Sequence, residues 1–415
     1  MTISPTQAAP VRQGRAPGMF EFVALMAALM ASNALAIDAM LPALPDIGSA
    51  LGVAEENRRQ LVITAYLIGF GVAQLIYGPV SDRVGRRPVL IVTMAFYALF
   101  ALLCGIAGSF TTLLAARVLV VSIIRDRFEG SAMARVMSLV FIIFMVVPVL
   151  APFFGQAVLA VATWRYIFIG LAVYAGAILL WSMLRLPETL KPEDRRPLTF
   201  TSVREATVAT LTNRMSIGNT VASTLLFGGL FAFINSVQQI VADVFGRPEL
   251  LGVVFACIAA PMALSSYMNS RLVERLGARR IAIAALASFT IVATVHLLLA
   301  LTVGESLVLF IVMQTLTMVS FGLVGANLGS LAMQPMGHIA GTASSVQGTI
   351  TTIGGALIGF AIGQNFDGTT IPFLLGFTLC GSLALGVAWW ANRQPCRDTQ
   401  DQAEVDVQEV ATRPA

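Results

Sequence analysis

The chain has 415 residues, 57% hydrophobic and 12% charged, with a formal net charge of +4. Its mean hydropathy is +0.82; it lacks the roughly 25% of charged residues that clothe an ordinary soluble domain, so lipid is the expected solvent for most of it. Cys104, Cys257 and Cys380 lie in apolar runs, Cys396 lies in a polar tail, and His296 and His338 stand far apart, which excludes a disulfide framework and a metal site.

Residues 1–18 are polar, with Arg12 and Arg15, and an apolar run begins at Phe20. A secretory signal cleaved after Ala34-Leu35-Ala36 is one reading. The run continues past that point to Leu41, so it reads better as the first membrane span. Windows of roughly 18–25 apolar residues then place spans in chain order. In the first half they fall at 20–41, 61–80, 89–107, 110–124, 137–160 and 166–184. In the second they fall at 215–240, 250–268, 281–301, 307–333, 339–363 and 372–390. The predicted fold is all-α and integral to the membrane, with twelve transmembrane helices. The runs are too long and uniform for the short alternating strands of a β-barrel.

The basic residues set the orientation. Of the 26 Lys and Arg, only Arg58, Arg59, Arg165 and Arg247 fall outside when the N-terminus is inside, and Arg117 lies within a span. That asymmetry predicts two cytoplasmic termini. It also explains a pI near 9.1 without nucleic acid. The connection 186–214 carries Pro187, Pro192 and Pro197 and splits the chain into six spans, 19–185, and six more, 215–391. Residues 1–18 form a cytoplasmic tail, and the polar, acidic segment 392–415 is expected to be disordered. Asp82-Arg83-Val84-Gly85-Arg86-Arg87 after span 2 matches Glu274-Arg275-Leu276-Gly277-Ala278-Arg279 after span 8. Such a duplication with both halves in one orientation is the mark of parallel-repeat transporters, whose substrate site lies between the halves.

Asp38 is the one acid placed well inside a predicted span. A carboxylate there is costly unless it is protonated, paired or facing a wet cavity, so it is a candidate proton-coupling residue; the structural alternative is an interfacial residue beside Pro42 and Pro45. Arg117 is its candidate partner, about 10 Å below the outer face at ~1.5 Å per residue, unless it only snorkels to the headgroups. In span 5, Pro148, Pro152 and Gly155 predict a bend that suits a cavity-lining helix, although proline also serves packing alone. Asn33, Tyr66, Gln74, Asn235, Gln239 and Asn327 are candidate cavity residues, with interhelical hydrogen bonding as the plainer reading. No nucleophile–base set or metal-ligand set is visible, so the chain does not read as an enzyme.

Two resemblances sharpen this. Gly78-Pro79-Val80-Ser81-Asp82-Arg83-Val84-Gly85-Arg86-Arg87-Pro88 resembles the loop 2–3 signature of the major facilitator superfamily. The resemblance implies a cytoplasmic gate motif, Gly78, Asp82, Arg83, Gly85, Arg86 and Arg87, with a latching role for Asp82, Arg83 and Arg86. Ile37–Pro45, Met133–Pro152, Trp164–Phe168, Pro187-Glu188-Thr189-Leu190 and His338–Ser345 resemble the bicyclomycin and chloramphenicol resistance (Bcr/CflA) branch of drug:proton antiporters. This implies proton-driven efflux of small lipophilic drugs across the inner membrane by a monomer, with no cofactor. The sequence departs from that pattern after Arg117. Fifteen apolar residues, 110–124, rise only about 22 Å against a core of about 30 Å. A short span 4 must thin the bilayer, draw in its flanks or fail to cross. The alternatives are therefore a proton-coupled nutrient symporter of the same fold, or an inactive paralogue.

Overall fold

The computed structural model of the chain describes residues 19–120, 146–186, 188 and 200–393. Among these residues there is no strand. Long apolar runs close into helices because only an internally hydrogen-bonded backbone is tolerated in lipid. Helices α1 (Met19–Asp38), α2 (Leu44–Ala50), α3 (Leu61–Val84), α4 (Arg86–Gly105) and α5 (Phe110–Leu119) come first. Helix α6 (Val146–Leu159) and α7 (Arg165–Arg185) follow. Helix α8 (Phe200–Thr212) lies in the predicted connection. Then come α9 (Arg214–Gln239), α10 (Leu251–Leu276), α11 (Ala278–Thr302), α12 (Leu307–Met333), α13 (Ala340–Gln364) and α14 (Ile371–Ala391).

Ten helical runs among the described residues are long and apolar enough to cross a membrane, and α5 and α6 are shorter apolar helices. Each predicted window overlaps one of these. The predicted short span 4 ends at residues 121–124, which lie in the stretch 121–145 outside the described residues, as do the first residues of predicted span 5. The terminal tails and most of the proline-bearing connection also lie outside them.

Local chemistry sets the helix ends. Ser109 Oγ accepts from the Thr112 amide at the start of α5, and Ser306 Oγ accepts from Leu309 at the start of α12. Pro45 and Pro372 sit in the first positions of α2 and α14, where the missing N–H costs nothing. The two repeat motifs adopt one conformation. Gly85 (φ 114°, ψ 155°) ends α3 and starts α4, while Gly277 (φ 78°, ψ 145°) ends α10 and starts α11. Each glycine amide closes the preceding helix, onto Ser81 O and Val273 O respectively. Only glycine enters that positive-φ region without strain.

The chain forms two compact units: unit 1 holds Met1–Ser202 with Ile234–Ala260, and unit 2 holds Val203–Phe233 with Pro261–Ala415. Helices α9 and α10 are thus each shared between the units. In unit 1, α4 packs on α7 and α5; in unit 2 the repeat-related α11 packs on α14 and α12. Small residues permit these approaches. A Cβ on Gly359 would press into Phe231 and the Ala232 backbone, and one on Gly381 into the Phe289 ring. The core of unit 2 is a run of rings: Phe289 stacks on Phe377 at 5.7 Å, Phe377 meets Phe373 at 4.6 Å, and Phe373 meets Phe310 at 6.1 Å.

Candidate functional site

Asp38 is the last residue of α1 and is 5% exposed. Its Oδ1 is enclosed with no hydrogen-bond partner among the described residues. The helix around it is held along one face. Tyr174 Oη donates to Ala28 O at 2.8 Å, Tyr97 Oη to Ser32 O at 3.0 Å, and Arg117 Nη2 to Ala36 O at 2.9 Å. These carbonyls recur every fourth residue, so three side chains from α7, α4 and α5 grip a single stripe of α1. Ala36 lies in the last turn, where helical carbonyls have no amide of their own helix to accept from. The arginine therefore caps α1, two residues before the carboxylate.

Arg117 is fully buried. Its Nε donates to Val62 O at 3.1 Å, in the first turn of α3. The guanidinium lies over the Tyr66 ring at 4.7 Å and is 5.8 Å from the Phe168 ring, a desolvated cation–π setting. A Cβ on Gly69 would overlap the Val118 carbonyl, so this glycine is what lets α5 bring Arg117 against α3. Nη1 is enclosed without a partner among the described residues. The structure thus brings Asp38 and Arg117 to the same end of α1 without joining them, and no ion pair between them is made within 4.0 Å. The reason is competition: two backbone carbonyls and an aromatic face already hold the arginine. Among the described residues each of the two is left with an orphaned polar atom, an acceptor on Asp38 and a donor on Arg117.

The predicted bend residues sit beside this place. Pro148, Pro152 and Gly155 all fall inside α6. A Cβ on Gly155 would run into the Ala39 carbonyl and the Pro42 ring. Gly155 therefore seats α6 on the turn that directly follows Asp38. Of the candidate cavity residues, Asn33 and Tyr66 bond each other through Oδ1 and the phenol, with Tyr66 under the arginine. Gln239 accepts from Gln60 and donates to Asn57 Oδ1 at 2.9 Å. Asn327, in unit 2, donates to Asn269 Oδ1 at 2.7 Å. Asn235 is buried with neither amide atom partnered among the described residues, and Gln74 is half-buried on α3.

At the gate motif, Glu188 accepts from the amides of Arg86 (3.1 Å) and Arg87 (3.2 Å). It caps α4, as a carboxylate at a helix N-terminus does. Arg87 Nη2 reaches Met183 O at 2.8 Å, and Arg83 is exposed. The surroundings of Gly78 and the side chain of Asp82 lie outside what the structure describes. Sequence reasoning missed Tyr97 and Tyr174 as clamps on α1, and also missed the bidentate ion pair of Glu21 and Arg185 that ties α1 to α7. A tyrosine in a lipid-buried run needs a partner for its hydroxyl, which was a usable signal for the first two. The backbone acceptors leave none.

Among the described residues no cluster of His, Cys, Asp or Glu can hold a metal ion. A family model described as Major Facilitator Superfamily matches residues 26–359. The chain is 30% identical over 380 residues to the "Uncharacterized MFS-type transporter YdgK" of Bacillus subtilis, covering 87% of this chain and 93% of that one. It is 28% identical over 380 residues to the "Bicyclomycin resistance protein homolog" of Haemophilus influenzae, with the same coverage of each chain. In architecture it is similar to the xylose transporter XylE from E. coli in a partially occluded inward open conformation. The TM-score is 0.68 at 11% identity, over 90% of this chain and 98% of that one.

Proposed function

Because the chain belongs to the Major Facilitator Superfamily, a family of multi-pass membrane transporters and not of enzymes, we propose that it exports small lipophilic drugs in exchange for protons. The observation that carries this is the orphaned pair: Asp38 Oδ1 and Arg117 Nη1, both enclosed and both without a partner among the described residues. An unpaired carboxylate in an apolar setting is tolerated only with a proton, a cation or water to compensate it. In the proposed cycle Asp38 takes a proton from the outer side and gives it up to the cytoplasm. The deprotonated form turns to the free Arg117 nitrogen or to a cationic or hydrogen-bonding group on the drug. Proton and drug thus compete for one carboxylate, which is the requirement for exchange in opposite directions. Tyr66, under the arginine, and Asn33, bonded to its phenol, are the proposed first drug contacts, with Asn235 and Gln239 as further ones.

The similarity to a bicyclomycin resistance homolog supports a drug as substrate over a nutrient. The distribution of Lys and Arg supports placement in the inner membrane with both termini cytoplasmic, and a monomer suffices for the cycle. The reading is tested in a host stripped of its own exporters. The wild-type chain should raise the inhibitory concentration of bicyclomycin or chloramphenicol about fourfold or more and lower drug accumulation. Asp38→Asn, expressed at the same level, should do neither. Protection that survives in Asp38→Asn would remove the carboxylate from the mechanism.

A further inference from the structure

We propose that unit 2 carries a binding site for an anionic glycerophospholipid in the cavity between the start of α11 and the end of α14. The cavity has a volume of about 500 Å³. Arg279 and Arg280 stand at one end, and Ile283, Ala284 and Ala287 line it further along α11. Trp389 and Asn392 close it from α14. Its chemistry is that of a lipid: two guanidiniums for a phosphate, an indole at the level where indoles prefer the headgroup boundary, and a small apolar floor beneath. Residues 279, 280, 283, 284 and 287 share one face of the helix. From Arg279 to Ala287 the helix rises about 12 Å, enough for a phosphate, the glycerol and the first methylenes of an acyl chain. The alanines leave the groove that larger side chains would fill.

Among the described residues the charge in this cavity is uncompensated. Arg279 and Arg280 are both exposed, and neither makes an ion pair or side-chain hydrogen bond among the described residues. Asn392 is already taken, bonded to Asn219 in both directions at 2.8 and 3.3 Å. It therefore serves as a wall and leaves the arginines to a ligand. A third cation borders the site, since the Arg393 guanidinium lies over the Trp389 ring at 4.4 Å.

The internal repeat says what is missing. Helices α4 and α11 both begin just after a positive-φ glycine, Gly85 and Gly277. At α4 the free amides of Arg86 and Arg87 are taken by the Glu188 carboxylate. At α11 the N-cap Gly277 supplies no side-chain cap, among the described residues no side chain from elsewhere accepts from its first amides, and two arginines sit where that first turn opens into the cavity. An anion from outside the chain fills the place that Glu188 fills in the first half. The apolar floor makes that anion a lipid and not free phosphate. The exposed Leu276 and Trp390 nearby also suit a surface facing acyl chains.

The test is native mass spectrometry of the delipidated full-length protein, titrated with phosphatidylglycerol, phosphatidylcholine or inorganic phosphate. Arg279→Gln/Arg280→Gln should weaken phosphatidylglycerol binding roughly tenfold or more. Arg271→Gln/Arg275→Gln, which removes the same charge from the end of α10, should change it less than about twofold. Ala284→Leu fills the floor with no change of charge and should also weaken it, which keeps the proposal testable if the double variant does not fold. Phosphatidylcholine binding should not respond to any of these. Equal losses in both arginine pairs, or no loss with Ala284→Leu, would overturn the site. Displacement of the lipid by millimolar inorganic phosphate would replace the lipid with a free-phosphate site and overturn the proposal as stated.

Discussion

Asp38 and Arg117 are readable in a sequence because charge inside an apolar run is rare and costly. What holds each of them is not readable, because the partners of Arg117 are the carbonyls of Ala36 and Val62, and every residue has a carbonyl. The arginine has two separable roles, one as the cap that fixes the end of α1 and one as the owner of a free donor beside the carboxylate. Arg117→Ala removes both and leaves the Ala36 carbonyl buried and unpaired, a cost of about 1–3 kcal/mol. Arg117→Lys keeps the charge but loses the planar fork that spans two carbonyls over Tyr66. The expectation is a lowered thermal midpoint in detergent for Arg117→Ala, a smaller drop for Arg117→Lys, and loss of transport in both. Full transport in Arg117→Lys would reduce its role to that of a point charge.

At the scale of elements, glycines separate into those that make room and those that do not. Gly155 holds α6 against the Ala39 carbonyl, whereas a Cβ on Gly176 of α7 would meet nothing within 4 Å. Gly155→Ala should therefore displace α6 from the turn beside Asp38 and reduce transport strongly, and Gly176→Ala should leave transport unchanged. Similar transport rates for the two variants would show that the close approach has no functional consequence. A second element-scale device is the brace at the far end of α11. His296 Nε2 lies 3.2 Å from Glu305 Oε1, while Thr370 donates to Glu305 Oε2 at 3.0 Å. This joins α11, the turn at Gly304 and the start of α14 through a nearly buried group. Glu305→Ala leaves His296 and Thr370 without their shared acceptor and should destabilise the protein by about 1–3 kcal/mol, read as a lower thermal midpoint. An unchanged midpoint would show that the brace adds nothing to stability. Of the three residues the sequence offers for a bend in span 5, Pro148, Pro152 and Gly155, it is Gly155 that makes the close approach to Ala39 and Pro42.

For the whole molecule, the all-helical membrane architecture was legible because hydrophobic run length is a one-dimensional signal. The duplication was legible too: the two glycines chosen by motif, Gly85 and Gly277, share one backbone conformation. Less legible was the grouping of the chain in contact terms, since residues 234–260 fall with unit 1 although the repeat assigns them to the second half. Nothing in a linear pattern reports a hydrogen bond such as Gln60 to Gln239, 179 residues apart. The helix α8 inside the predicted connection was also missed, because its composition is mixed and its flanking prolines read as a linker.

The central claim is exchange of a drug for a proton at Asp38, and proton release from everted membrane vesicles tests it most directly. Respiration acidifies the vesicle lumen, and a pH-sensitive dye reports the loss of that gradient when bicyclomycin or chloramphenicol is added. The account predicts drug-dependent dequenching by the wild-type chain and none by Asp38→Asn in membranes holding equal amounts of protein. Dequenching of equal size in both would contradict it, as would a gradient that no drug in the panel discharges.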